Sequence, residues 1–320
     1  MTKPRTDEAS SSADAAVTPE GQGTRCGFVA IIGAPNAGKS TLVNRLVGTK
    51  VTIVSRKVQT TRTPVRGIFM RGPAQIVLID TPGIFVPRRR LDRAMVGAAW
   101  SGAHDADAIV FLIDAARGLD DEARAILNEL KCVRPPVYVA LNKVDRLAEK
   151  AALLALASKI QEELGPKEIF FISAFDGSGV DDLKATIAAK MPEGPWHYPP
   201  DDVSDLPMRL LAAELTREKI YDRLHQELPY AITVETTDWK NLRNGSVRIE
   251  QTVFVERDSQ KKIVLGKGGS LIKQVSQETR HELAEILQQP VHLFLFVKVR
   301  ENWANDPARY REMGLEFPKD

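Results

Sequence analysis

Short apolar runs recur at residues 28–32, 65–70, 75–79, 108–113, 137–141 and 168–172, and helical stretches at 40–47, 91–103, 121–130, 148–164 and 180–189 lie between them. Runs this short and this apolar predict strands buried on both faces. Strands alternating with helices predict an α/β domain with a doubly wound, mostly parallel sheet. Ligands of such sheets sit beyond the carboxyl ends of the strands. The pattern breaks at Met191-Pro192-Glu193-Gly194-Pro195-Trp196-His197-Tyr198-Pro199-Pro200, where four prolines and a glycine fall in ten residues. A stiff linker and a domain boundary are expected there. Past it come a helix over 207–224, a strand over 231–235 and an alternating strand over 246–255. A glycine loop, a helix over 271–287 and a last strand over 291–299 complete an α+β module. The expected organisation is a tail (1–24), an α/β domain (25–190), a linker (191–206) and an α+β domain (207–320), without internal repeats.

Composition narrows the class without naming a function. A chain of 320 residues has room for two domains, and 43% apolar with 27% charged residues is ordinary for a soluble globular protein. A formal charge of +2 is too small to argue for nucleic acid or membrane by itself. The best apolar runs, 108–113 and 291–299, are far shorter than a membrane span. The first 24 residues lack an apolar core and include Asp7, Glu8 and Asp14, which excludes a secretory signal and argues against a transit peptide. A disordered tail on a cytoplasmic protein is the expectation. Cys26 and Cys132 lie far apart in apolar stretches, so both are expected to be buried thiols in a reducing compartment.

Candidate chemistry gathers at the predicted strand ends. Gly33-Ala34-Pro35-Asn36-Ala37-Gly38-Lys39-Ser40 follows the first strand and opens a helix, with Thr41 next on it. Its form is G-x-x-x-x-G-K-S, in which backbone N–H groups cradle phosphates, the lysine reaches the β- and γ-phosphates and the serine holds Mg²⁺. Asp80-Thr81-Pro82-Gly83 ends the strand at 75–79, placing Asp80 for the metal shell and the Gly83 N–H for a γ-phosphate. Asn142-Lys143-Val144-Asp145 ends the strand at 137–141. A carboxylate at Asp145 can accept the ring N–H and 2-amino group of guanine side by side, a pair adenine lacks; the competing assignment is a helix cap. Ser173-Ala174, after the strand at 168–172, could contact the base carbonyl but means little alone. The polar stretch Val58-Gln59-Thr60-Thr61-Arg62-Thr63-Pro64 is of the kind that orders around a γ-phosphate and Mg²⁺, and either threonine could supply a hydroxyl, Thr61 being favoured.

The second module has a softer signal. Gly266-Lys267-Gly268-Gly269 is a G-x-x-G loop placed between a strand and a helix, in a basic island of Lys261, Lys262, Lys267 and Lys273 with no acid from 259 to 277. Glycines let phosphates approach the backbone and lysines supply counter-charge, so RNA is the expected partner; a tight turn with a solvated lysine face is the plainer alternative.

Taken in order, G-A-P-N-A-G-K-S, Q-T-T-R, D-T-P-G, N-K-V-D, S-A and G-K-G-G resemble the Era-family GTPases over nearly all of the chain after the tail. The resemblance implies a type II K-homology second domain and binding to the 3′ end of small-subunit ribosomal RNA. It further implies a role in maturation of the small ribosomal subunit and loose contact with the inner membrane, in a chain expected to be monomeric. GTP or GDP with Mg²⁺ is the implied ligand, with Ser40, Thr61 and Asp80 on the metal and Lys39, Thr61 and Gly83 acting in hydrolysis. The P-x-asparagine form of the loop also allows a potassium ion beside Asn36. Ile84 stands where several GTPases carry a water-orienting glutamine, so hydrolysis is expected to be slow without help. Two other classes stay open: an RNA scaffold that binds GTP with little turnover, and a membrane-associated signalling GTPase.

Overall fold

The computed structural model describes residues 23–318 except 56, 58, 59, 148, 149, 225–227 and 302. Residues 1–22 of the expected tail, Val58 and Gln59 of the polar loop, and the first two residues of the helix expected over 148–164 lie outside the described residues.

The first domain alternates β1 (Arg25–Ile32), α1 (Lys39–Val47), β2 (Val65–Arg71), β3 (Ala74–Asp80), α2 (Arg90–His104), β4 (Ala108–Asp114), α3 (Asp121–Leu130), β5 (Val137–Asn142), α4 (Lys150–Leu164), β6 (Ile169–Phe171) and α5 (Val180–Lys190). The sheet order is β2-β3-β1-β4-β5-β6, with β2 antiparallel to β3 and every other pair parallel. Alternate residues of one strand serve two cores: Val29 and Ile31 pack with α1 and α5, Ala30 and Ile32 with α2, α3 and α4. That double burial is why these strands read as unbroken apolar runs. Because β1 is flanked by β3 on one side and β4 on the other, the loop after β1 opens into the crevice where such sheets bind ligands.

The stretch 191–206 does not swing free. Gln75, fully buried in β3, accepts the N–H groups of His197 (2.8 Å) and Tyr198 (3.0 Å) and donates to the Tyr198 carbonyl (2.7 Å). The Trp196 indole donates to the Pro73 carbonyl at 3.0 Å, and Ile68 donates its N–H to the Val203 carbonyl at 2.8 Å.

The second domain comprises α6 (Met208–Arg223), β7 (Thr233–Asn241), β8 (Val247–Val255), α7 (Asp258–Leu265), α8 (Ser270–Leu287), β9 (Val291–Val299) and α9 (Pro307–Glu312). Its sheet runs β7-β8-β9, antiparallel then parallel, and α6 and α8 cover one face. Helix α7 corrects the expected order: the glycine loop joins two helices rather than a strand and a helix. The chain end is a second addition. Trp303, Tyr310 and Leu315 return to bury against Leu91, Ala94 and Met95 of α2. Cys26 is buried as expected, but Cys132 is exposed, because it falls in the turn beyond the buried stripe Ile126, Leu127 and Leu130 of α3. Among the described residues no helix is long and apolar enough to cross a membrane.

Candidate nucleotide site and RNA surface

The loop after β1 is shaped by its own glycines. Gly38 has φ 102°, and a Cβ there would lie 2.3 Å from the Asn142 amide nitrogen, so only glycine permits the turn and the approach of β5. Asn36 also adopts a left-handed conformation, φ 61°. Lys39 is 6% exposed and folds back over the loop, donating to the carbonyls of Gly33 (3.1 Å) and Ala34 (3.0 Å). Burial pushes its ammonium down to about 8, with Asp80 and Glu122 opposing the shift.

Asp80 ends β3 at the metal side. Its Oδ2 accepts the hydroxyls of Ser40 (2.8 Å), Thr52 (2.9 Å) and Thr61 (3.4 Å), while Oδ1 is buried with no partner among the described residues. Burial raises this carboxyl, and the Ser40 hydroxyl and Lys39 charge counter it. Ser40 and Thr61 hydroxyls lie 2.9 Å apart. Thr60 turns elsewhere, donating to the Lys57 carbonyl at 2.8 Å. An orphaned carboxylate oxygen beside two hydroxyls is an oxygen donor set of the kind a hard divalent cation takes when phosphate oxygens and water complete the shell. Gly83 packs against Pro35, Thr81 donates to the Ile31 carbonyl at 2.8 Å, and the Ile84 N–H donates to the Gly33 carbonyl at 3.1 Å. The Ile84 side chain itself is buried in the core with Ala30 and Ile32. Pro82 is buried between Thr81 and Gly83.

The base end is tied to the same loop. Asn142 donates to the Ala37 carbonyl at 2.8 Å and accepts the Ala174 N–H at 2.9 Å. Lys143, at φ 67°, bridges the Asn36 carbonyl (2.6 Å) and Asp114 (2.7 Å). Asp145 stands exposed on the short turn after β5. Ser173 is buried and holds its own loop, its hydroxyl accepting the Asp176 N–H at 3.2 Å. Thr41 lines the pocket with Lys39, Ser40, Thr61 and Gly83.

Three supporting residues carry no sequence signal of their own. Thr52 completes the hydroxyl set on Asp80, Asp114 fixes Lys143, and Arg45 donates to the carbonyls of Ala174 and Phe175. Each is a single polar residue in a segment whose neighbours say nothing about its distant partner.

In the second domain, Gly266, Gly268 and Gly269 have φ of 74°, 61° and 78°, which lets the chain reverse between α7 and α8. Lys262, Lys267 and Lys273 are exposed and Lys261 is half-buried. Three positive-φ glycines, four lysines and the start of the 18-residue α8 fall within residues 261–273.

Three strand-end motifs thus meet one phosphate-type loop. Residues 28–143 match the 50S ribosome-binding GTPase family and residues 227–304 the KH domain family. GTPase Era of Afipia carboxidovorans is 66% identical over 297 residues, 93% of this chain and 96% of that protein. The chain belongs to the Era family of GTPases. A second member, GTPase Era of Bradyrhizobium diazoefficiens, is 62% identical over 98% of this chain and its whole length, 100%. Two Era crystal structures superpose with a TM-score of 0.87 at 38% identity, covering 91% of this chain and 99% of each. One holds MgGDPNP and nucleotides 1506–1542 of 16S ribosomal RNA, the other is an Aquifex aeolicus Era variant with GDP.AlF4⁻. The Era-type order of a GTPase domain and then a KH domain is what this chain shows.

Proposed function

We propose that this chain is a GTP-binding and GTP-hydrolysing switch that binds small-subunit ribosomal RNA near its 3′ end and assists maturation of the small ribosomal subunit in the cytoplasm. The observation that carries the reading is the joining of Asp80, Asn142, Lys143 and Ala174 to residues 33–40, directly or through one side chain. In this reading Lys39 leaves its carbonyl partners for the β- and γ-phosphates, and Gly83 N–H meets the γ-phosphate. Magnesium supplies charge neutralisation on the phosphates when bound, and Ser40, Thr61 and Asp80 are the residues that would hold it. Asp145 takes the guanine edge, with Asn142 and the Ala174 loop behind the base. No side chain here acts as general base; Ile84 is buried, so positioning and charge carry hydrolysis. A potassium ion beside Asn36 is part of the proposal, and exchange of potassium for sodium in the turnover assay checks it.

RNA binding is assigned to Lys261, Lys262, Gly266, Lys267, Gly268, Gly269 and Lys273. It is supported by the Era crystal structure that contains 16S ribosomal RNA nucleotides. Neither the low-turnover scaffold nor the signalling GTPase gains support from these relatives. Peripheral membrane contact would use the same lysines, so anionic vesicles belong in the test as a competitor.

The test uses the full chain. GTP turnover is expected to be displaced by GDP and not by ATP, and an oligomer of the small-subunit RNA 3′ end is expected to bind with strong salt dependence. Equal displacement by ATP, or vesicle binding without RNA binding, would contradict the reading.

A further inference from the structure

Both neighbours of Thr61 are held by the second domain. Arg217 on α6 donates to the Thr60 carbonyl at 2.6 Å. It is 1% exposed, and Glu214, one turn earlier, orients it. Arg62 reaches the other way, out of the loop and into the second domain. Its guanidinium donates to the Ile232 carbonyl (2.8 Å), the Tyr221 hydroxyl (2.9 Å) and the Tyr230 carbonyl (3.3 Å). The two guanidiniums share one ring: Arg217 lies 5.0 Å and Arg62 5.8 Å from the Tyr221 centroid. Trp303 closes the far side, its ring 5.6 Å from Arg62.

The grip continues along the loop. Glu218 accepts the Val54 N–H at 2.8 Å and the Lys50 ammonium at 2.6 Å. Ser55 donates to Asp222 at 2.9 Å, and Lys57 donates to the carbonyls of Tyr221 and Leu224. Glu214, Arg217, Glu218, Tyr221 and Asp222 fall three or four residues apart, so a single stripe of α6 faces the loop. Thr61 lies between two such anchors, and its hydroxyl reaches Ser40 and Asp80.

We propose that Arg217 and Tyr221 are positioning residues for GTP hydrolysis, and that α6 of the RNA-binding domain holds Thr61 in register with Ser40 and Asp80. The proposal rests on the GTPase reading above and adds the route by which the second domain acts on it. A motion of the second domain that breaks the Arg217–Thr60 bond withdraws the Thr61 hydroxyl from the metal side of the site. GDP uses the loop at 33–40 and the base-end residues, which do not touch α6 through these bonds, so its affinity is independent of the grip.

The experiment compares full-length wild type, Arg217→Ala, Arg217→Lys and Tyr221→Phe. In Arg217→Ala, kcat for GTP is expected to fall roughly tenfold. The Mg²⁺ concentration for half-maximal turnover is expected to rise, and affinity for a GTP analogue to weaken relative to GDP. GDP and RNA affinities are expected to stay within twofold. Arg217→Lys, which keeps one donor in reach of the carbonyl, is expected to recover part of kcat. Tyr221→Phe removes only the hydroxyl under Arg62, and a several-fold loss of kcat at unchanged GDP affinity is expected; it serves if Arg217→Ala does not fold. Folded variants with wild-type kcat, Mg²⁺ dependence and GTP-to-GDP affinity ratio overturn the proposal. A wild-type chain that fails to turn over GTP overturns the functional reading beneath it instead.

Discussion

Asp80 and Lys39 meet opposing demands at the scale of single residues. A carboxylate with one oxygen crowded by three hydroxyls and the other orphaned costs about 1–3 kcal/mol until a cation joins it. Its pKa is raised on folding, so its ionised form opposes the fold at neutral pH and stability falls as pH rises from the unfolded toward the folded pKa. Asp80→Asn is therefore expected to stabilise the nucleotide-free protein by about 1 kcal/mol while removing the Mg²⁺ dependence of nucleotide binding. Thermal melts with and without Mg²⁺ read both. Lys39 has the reverse sign. Its ammonium titrates at about 8 in the free protein, and bound phosphates raise that value, so binding takes up a proton above it. GDP affinity is expected to fall as pH rises through the range of about 7 to 8.5, and the slope to vanish in Lys39→Ala. Titration calorimetry across that window checks it.

At the scale of elements, helix α7 explains how the lysines are arrayed. It spans only eight residues, buries only Val264, and starts where Gln260 accepts the N–H groups of Glu256 (2.8 Å) and Arg257 (3.2 Å). Two turns with one core residue leave too weak a period to stand out in a sequence. Its presence places Lys261 and Lys262 on a helix that leads into the glycine loop. Gly268 sits at φ 61° with open space where a Cβ would stand. Aspartate there costs at most about 1–2 kcal/mol of backbone strain and puts a negative charge amid the lysines. Gly268→Asp is expected to weaken RNA binding about tenfold at fixed salt and to leave GTP turnover unchanged. Filter binding and phosphate release, measured on the same preparation, separate the two.

For the whole molecule, the two domains are joined by more than the linker. Lys50 donates to Glu218 of α6 at 2.6 Å, and the chain end inserts Trp303 between α2 and the second domain, its indole donating to the Ala231 carbonyl at 3.0 Å. Trp303 is 1% exposed, so truncation leaves a large void. Trp303→Ala is expected to cost about 3–5 kcal/mol. Calorimetry is expected to show one transition in the wild type and two in the variant, as the domains lose their shared core.

The elements of both sheets, apart from the far half of β7 (expected over 231–235, found at Thr233–Asn241), the order of the nucleotide motifs and the glycine loop were legible in the residues themselves, because each is encoded within a few positions. An apolar run, a helical period or G-x-x-x-x-G-K-S needs no distant partner to be recognised. Thr61 rather than Thr60 facing Asp80, the burial of Ile84 in the core and the exposure of Cys132 depended on packing. So did Gln75, read as one residue of a strand yet holding the linker, and Arg62, read as part of a polar loop yet bound inside the second domain. Their partners lie more than a hundred residues away, where no local periodicity records them. The sequence alone determined which groups could hold guanosine triphosphate and where along the chain they fall; only tertiary structure decided that a helix of the other domain holds the loop between them, since that contact exists only once both domains have folded against each other.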